Sequence, residues 1–372
     1  MYFLIPFGIV FYIIITTIRY FIPVTYLDGN NQYVFITGAG AGFGEGLSIK
    51  LDQLGWNVIA ACKSDRSVQP LQSKLSSRSY VFQCDITSED DIHRAAQVVK
   101  DRCDNKLHAL VNNAGISGAQ AVIDFLPMSE FHKVMNVNLF GQIHITKALS
   151  HAIKNAKIND KHYGRIVNVT SVAGIIAPQR FGAYSSSKFA FEAFSDVLRR
   201  EYLAWNIPVS IVEPGFFGTP MVHNSATHTA TVNKDVSEEI IQQWGSEYTD
   251  VTSFDICAIT AENPAIAVNT LCDAVCSTRP KIRYYPGLQS SLAFYPLSLL
   301  PAELVDIFSG LIAGMLQPNQ LAPDQPINWR YRVSDKVVRM CLYVFNTYIR
   351  NKINIPAPTV NANTTSNGIQ TK

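Results

Sequence analysis

The strongest constraint on folding is Thr37-Gly-Ala-Gly-Ala-Gly-Phe-Gly44, a glycine-rich turn between an apolar run, Tyr33-Val-Phe-Ile36, and a helix-like stretch from Glu45 to Leu54. Strand, tight turn and helix in that order expose backbone N–H groups at the positive end of a helix. Gly38, Gly42 and Gly44 then permit the close approach that a dinucleotide pyrophosphate needs. A flexible loop gives the same letters, so the strands downstream of the turn carry the distinction. Val58-Ile-Ala-Ala61 reads as a second strand and Tyr80-Val-Phe-Gln-Cys-Asp85 as a third. Leu107-His-Ala-Leu-Val-Asn-Asn-Ala-Gly115 reads as a fourth, ending in a polar turn. Strands alternating with helices predict an α/β chain of Rossmann type: a doubly wound parallel sheet with its site at the strands' carboxyl ends.

Reaction chemistry enters with Tyr184-Ser-Ser-Ser-Lys188 and with Ser171, thirteen residues before the tyrosine. The apolar positions Phe189, Phe191, Phe194, Val197 and Leu198 predict a helix from Gly182 to Trp205, which stacks the phenol and the ammonium on one face. A neighbouring cation favours phenolate and lowers a pKa whose free value is about 10, making Tyr184 usable as an acid or base. In isolation such a pair is a surface contact worth roughly a few tenths of a kcal/mol.

Six marks in order, TGxxxGxG at Thr37 to Gly44, NNAG at Asn112 to Gly115, Asn138, Ser171, Tyr184 with Lys188, and Pro214-Gly215 with Thr219 downstream, closely resemble the short-chain dehydrogenase/reductase family. The resemblance implies a sheet of about seven strands and a nicotinamide cofactor. It implies that Tyr184 exchanges a proton with the substrate oxygen while Ser171 hydrogen-bonds that oxygen. Lys188 would bind the nicotinamide ribose and lower the tyrosine pKa. Asn138, in a helix-like stretch from Ser129 to Ile153, would hold a water linking Lys188 to solvent. Cofactor contacts carry over to Thr37, Gly38, Gly42, Phe43, Gly44, Asn112, Ala114, Gly115, Tyr184, Lys188, Pro214, Gly215 and Thr219, with Asp85 meeting the adenine. Cys62 stands where an NAD site usually places an acid for the ribose 2′-hydroxyl, and Lys63 suits either a 2′-phosphate or a solvated loop charge.

Gly42-Phe43-Gly44, Val58-Ile-Ala-Ala-Cys62, Tyr285-Pro-Gly287 and Tyr295-Pro-Leu-Ser-Leu-Leu-Pro301 narrow the resemblance to the branch of retinol and oxidative hydroxysteroid dehydrogenases, over about Gln32 to Pro318. That branch is mostly NAD-linked and membrane-bound, which favours NAD. Lys63 departs from its usual apolar residue and keeps NADP open.

Length and composition suit one enzyme domain, residues 31–287, with additions. A doubly wound domain of about 250 to 280 residues buries its core unaided, and the chain has 372 residues. A net charge of +2 carries no nucleic-acid signal. Seven cysteines without a CxxC pair read as reduced, buried thiols. The eight histidines lack metal spacing, so no metal is expected, and His223 with His228 reads as loop chemistry.

The remaining segments point to a membrane. Tyr2 to Ile18 is uncharged and almost wholly apolar, and residues 1–24 can cross about 30 Å of hydrocarbon as a helical anchor. Arg19 follows the apolar run, which puts the enzyme domain on the cytoplasmic face, and the resemblance implies the endoplasmic reticulum. Thr219 to Asn233 reads as a mobile loop that closes over substrate. Residues 288–318 read as an apolar cap or a segment that dips into membrane, 319–356 as a basic amphipathic membrane-surface segment, and 357–372 as a disordered tail. The resulting expectation is a membrane-anchored NAD(P)-dependent dehydrogenase of lipophilic alcohols, sterols, steroids or retinoids, in a family that suggests a homodimer. An NADPH-dependent reductase of lipid ketones and a catalytically idle lipid-binding scaffold are the alternatives.

Overall fold

The computed structural model describes residues 23–159, 162–245 and 260–306. The strands run β1 (Tyr33–Thr37), β2 (Asn57–Cys62), β3 (Tyr80–Gln83), β4 (Ala109–Asn112), β5 (Lys157–Asn159), β6 (His162–Tyr163), β7 (Arg165–Val169), β8 (Val209–Val212) and β9 (Arg283–Tyr284). Seven of them form one sheet in the order β3-β2-β1-β4-β7-β8-β9, with every neighbouring pair parallel, while β5 and β6 make a separate antiparallel pair. Strand order reverses between β1 and β4, so a crevice opens beyond their carboxyl ends.

Near-continuous burial along β2, β4, β7 and β8 is what a parallel sheet covered on both faces requires. Side chains alternate between two cores. Val34, Ile36, Val58, Ala60 and Cys62 meet Leu47 and Leu51 of the Gly42–Gln53 helix and Leu271 of the Pro264–Cys276 helix. On the other face Phe35, Ile59 and Ala61 share a core with Ile92, Ile145 and Leu198 from the Glu89–Cys103, Gln142–Asn155 and Gly182–Tyr202 helices.

Two expectations change. The stretch read as one helix from Ser129 to Ile153 is broken by a π turn, Asn136–Gly141, between the Met128–Met135 and Gln142–Asn155 helices. The stretch read as a mobile loop is a helix, Pro220–Asn233. Thr219 is extended at its N-cap and Pro220 occupies the first turn, where a missing N–H costs nothing. Thr, Ser, Asn and His are poor helix formers, so tertiary contact supplies the stability. Thr229 is buried, and Val232 packs with Val236, Ile240 and Trp244 on a small core of Ala119, Ala121, Phe125 and Leu126.

Among the described residues no helix is long and apolar enough to cross a membrane. The Tyr2–Ile18 stretch, the basic segment 319–356 and the tail 357–372 lie outside the described residues. In the described part of 288–318 a π turn, Gln289–Phe294, runs into a short helix, Tyr295–Ser298, and Leu288, Leu292, Leu299 and Leu304 are exposed.

Candidate active site

The crevice holds a cavity of about 490 Å³, and its floor is the glycine turn. Gly38 and Gly42 have φ of +62° and +59°. A Cβ on Gly38 would lie 2.7 Å from Ala114 Cα, and one on Gly44 2.4 Å from the Gly38 carbonyl oxygen. The turn is braced by the NNAG segment. Thr37 Oγ1 accepts from the N–H groups of Asn113 (2.9 Å) and Ala114 (3.0 Å), and Asn113 Nδ2 donates to the carbonyls of Thr37 (2.9 Å) and Gly38 (3.1 Å). Ala41, the N-cap of the Gly42–Gln53 helix, offers no side-chain cap. The first-turn N–H groups are therefore open to an anion at the positive helix end, so these residues fit a dinucleotide pyrophosphate. We expect Gly38→Ala to cost about 2–3 kcal/mol from the left-handed φ and the Ala114 clash combined, read as a lower urea midpoint at unchanged slope.

At one end of the cavity Lys63 Nζ sits 3.2 Å from Asp85 Oδ2, and both residues line the wall. Burial raises the Asp85 pKa, but the Thr87 N–H and hydroxyl and the Lys63 ammonium outweigh it and hold the carboxyl below its usual range. Cys62, expected beside the ribose, does not line the cavity. It shares its sheet face with Val58 and Ala60, so its side chain faces the core under the Gly42–Gln53 helix, and burial pushes its thiol up to about 11. Thr37 and Gly44 shape the floor without lining it. Asn112 is fully buried and donates to Thr146 Oγ1 and Asn168 Oδ1, both at 2.9 Å, tying β4 to β7.

Ser171, Tyr184 and Lys188 line one wall together with Gly115, Pro214, Gly215 and Thr219. Ser171 caps a short turn, Val172–Gly174: its Oγ accepts from the Ala173 N–H (3.1 Å) and donates to the Pro214 carbonyl (3.3 Å), which fixes the Pro214-Gly215 turn against it. Lys188 is buried and donates to the Val169 carbonyl at 3.0 Å. Its Nζ would lie 3.7 Å from a Cβ on Gly115, so the glycine gives the ammonium room. Burial lowers its pKa to about 8 against the opposing pull of the Glu192 carboxylate.

The phenol departs from expectation. Lys188 Nζ is 5.6 Å from the Tyr184 ring centroid and committed to Val169, so burial dominates and raises the Tyr184 pKa, with the Ser171 hydrogen bond drawing it partly back. Asn138 is fully buried in the π turn. Its Nδ2 donates to the Ile116 carbonyl (2.9 Å) and Ser187 Oγ (3.0 Å), and its Oδ1 accepts from the Ile116 N–H (2.9 Å). These bonds hold Ile116 against the Gly182–Tyr202 helix, and the amide oxygen keeps a second lone pair beyond the one given to Ile116.

The aromatic part of this wall escaped the sequence reading. Phe181 and Phe216 line it with ring centroids 6.4 Å apart, Phe181 lies 6.2 Å from Tyr184, and Phe216 lies 6.0 Å from Phe294. Phe216 follows the Pro-Gly turn directly and Phe181 precedes the catalytic helix by one residue, so proximity to known marks was the available clue. Gln120, Lys133 and His228 also line the cavity.

A profile of the short chain dehydrogenase family matches residues 32–230. The 17-beta-hydroxysteroid dehydrogenase type 6 of Mus musculus is 37% identical over 303 residues, 78% of this chain and 91% of that protein. Retinol dehydrogenase 5 of Homo sapiens is 35% identical over 297 residues, 75% of this chain and 88% of that protein. Among solved structures, a short chain dehydrogenase/reductase from Burkholderia phymatum in complex with NAD has a TM-score of 0.59 at 20% identity, covering 81% of this chain and 99% of that one. A short chain dehydrogenase from Burkholderia cenocepacia in complex with NADP has a TM-score of 0.55 at 23% identity, covering 73% and 95%. The structural likeness shows the fold, identity of this level across most of two curated relatives needs common descent, and this chain belongs to the short chain dehydrogenase family.

Proposed function

We propose that the protein oxidises a hydroxyl of a lipophilic alcohol, a hydroxysteroid, sterol or retinol, using NAD(P). The carrying observation is that Ser171, Tyr184 and Lys188 share a cavity with the uncapped helix terminus on its floor and with the phenyl rings of Phe181 and Phe216. Gly38, Gly42, Phe43, Ala114, Gly115, Pro214, Gly215 and Thr219 would hold the dinucleotide, with Lys63 and Asp85 at its adenosine end. When bound, an oxidised nicotinamide supplies the hydride acceptor and a positive charge. Ser171 hydrogen-bonds the substrate oxygen and Tyr184 takes its proton. Lys188, still mostly protonated at neutral pH with a pKa of about 8, anchors the ribose and adds the chain's own positive charge. Asn138 acts through Ile116 and Ser187 as a positioning residue.

Names of the curated relatives, hydroxysteroid and retinol dehydrogenases, support the substrate class. The apolar Tyr2–Ile18 stretch and the exposed Leu288, Leu292 and Leu299 support attachment to a membrane, with a homodimer as the family arrangement. Reduction of NAD or NADP by the purified full chain in detergent, with a panel of hydroxysteroids and retinol, tests the reading. No turnover of any member would favour an idle lipid-binding fold.

Lys63 supports a second reading, NADPH-linked reduction of lipid ketones, because no acid replaces it at the end of β2. Lys63→Leu should weaken NADPH binding about tenfold or more, the loss of one charge-assisted contact, while NADH binding moves under threefold. Equal affinities for NADPH in parent and variant, measured by titration, would remove Lys63 from phosphate recognition.

A further inference from the structure

Phe216 to Thr219, the residues that follow the Pro214-Gly215 turn, belong to no helix and to no strand of the sheet. They nevertheless run along the cavity. Phe216 and Phe217 line it, the Phe217 ring meets Phe43 of the glycine turn edge-on at 5.4 Å, and Thr219 Cγ2 would lie 3.5 Å from a Cβ on Gly42. Backbone N–H and carbonyl groups in such a stretch need partners from elsewhere in the chain.

Two residues supply them. Glu262 forms a single parallel bridge with Phe217: its N–H donates to the Phe216 carbonyl at 2.9 Å, and its carbonyl accepts from the Gly218 N–H at 3.1 Å. Gln289, 73 positions after Phe216, accepts the Phe216 N–H on Oε1 at 3.2 Å and donates through Nε2 to the Thr260 carbonyl. The Glu262 carboxylate in turn holds Gln289, since Oε1 accepts from the Gln289 N–H at 2.9 Å and Oε2 from the Leu288 N–H at 3.1 Å. Gly287 makes that approach possible, with φ +83° and no room for a Cβ beside the carboxylate. Gln289 also backs the turn itself: a Cβ on Gly215 would meet Gln289 Cβ at 3.3 Å and Ser290 Oγ at 3.1 Å. The bonds therefore close a ring from Phe216 through Glu262 to Gln289 and back. Neither Glu262 nor Gln289 lines the cavity, and both are only half-buried, so what they fix is the turn and not the core.

Resting on the reading that Pro214, Gly215 and Thr219 hold a dinucleotide, we propose that Glu262 and Gln289 are positioning residues for the cofactor. They hold the Phe216 to Gly218 backbone, and with it Gly215 and Thr219, in the shape that receives the dinucleotide. A cofactor meeting a preset turn binds without ordering it, whereas a loosened turn is ordered on binding and the affinity falls.

The test is binding of NAD and of NADP to the purified full chain in detergent, by calorimetric titration, together with amide hydrogen exchange of the cofactor-free protein. Gln289→Met keeps the side-chain length and removes the acceptor for the Phe216 N–H. Glu262→Gln leaves one carbonyl oxygen for two N–H groups. Each should weaken binding of whichever dinucleotide the parent prefers by about tenfold, the size of one lost hydrogen bond with its partner stranded. Exchange at Phe216 and Gly218 should quicken before any cofactor is added. Phe294→Leu, on the same segment but touching the Phe216 ring instead of the turn's backbone, should move the same affinity under threefold. Unchanged affinity in either variant, whatever its melting temperature, removes that residue from the positioning pair. An equal loss in Phe294→Leu assigns the effect to packing of the segment and overturns the proposal. Should Glu262→Gln fail to fold, Gln289→Met, the milder change, decides. A parent that binds neither NAD nor NADP overturns the dinucleotide reading and the positioning roles with it.

Discussion

Tyr184→Phe should fold as the parent does and lose kcat by roughly 10³-fold, within the range for loss of a positioned general acid or base. The ring stays, so its edge contact with Phe181 at 6.2 Å is kept; only the hydroxyl that meets Ser171 is removed. The comparison needs kcat with saturating cofactor and the melting temperature of both proteins. Full activity in the variant would sink the proton-transfer role. The pH profile gives a second, independent reading. Burial raises the phenol pKa, so its basic form is gained as pH rises, and oxidation should accelerate from pH 6 upward. Lys188 loses its proton at about 8, and with it the charge proposed to anchor the nicotinamide ribose. The gain should therefore level off or reverse above that pH. A profile flat from pH 6 to 9 would disconnect both groups from the rate-limiting step.

Much of this site was legible because its marks are backbone demands. A positive φ at Gly38 and Gly42, and an approach too close for a Cβ at Gly44, leave glycine as the fitting residue, so the letters report geometry directly. The apolar runs of β1 and β2 are equally plain, since both faces of those strands are covered. Side-chain direction was harder. Cys62 and Lys63 are neighbours, yet strand alternation sends one into the core and the other to the cavity rim, and the parity of Val58, Ala60 and Cys62 was the clue. The π turn at Asn136–Gly141 has no sequence mark, because a continuous helix-forming run accommodates one wider turn without changing residue type. The Pro220–Asn233 helix runs against its own propensities and is held by contacts with residues near Ala119. Lys133 and His228, 95 positions apart, meet only because that helix forms where it does.

Arg283→Met should lower stability by about 3–5 kcal/mol near neutral pH, the cost of stripping buried carboxylates of their partner, or roughly 10 °C in melting temperature. Arg283 Nη2 lies 3.1 Å from Glu192 Oε2 and 3.2 Å from Asp196 Oδ2, and its Nε is 3.1 Å from Glu213 Oε1. Glu213 is fully buried, and neither of its oxygens is aligned for a hydrogen bond. Burial first, and then the Glu192 carboxylate, push its pKa up to about 8 even with the guanidinium beside it. A carboxyl whose folded pKa is raised contributes its stability fully below the unfolded value near 4.5 and loses it as pH climbs through the folded value. Without Arg283 the folded values of Glu192 and Glu213 rise further, so the variant's deficit should widen between pH 5.5 and pH 9, the Glu213 share entering only above its parent value of about 8. An equal deficit at both pH values would mean that lost packing of the arginine stem, not uncompensated charge, causes the loss. The charge account has a functional side. Glu213 immediately precedes the Pro214-Gly215 turn, whose carbonyl receives the Ser171 hydroxyl at 3.3 Å, and Glu192 lies one helical turn beyond Lys188. Arg283 thus joins the catalytic helix to the Pro-Gly turn. At pH 8 the variant's affinity for NAD should fall along with its melting temperature, whereas a stem-packing defect would lower the melting temperature alone.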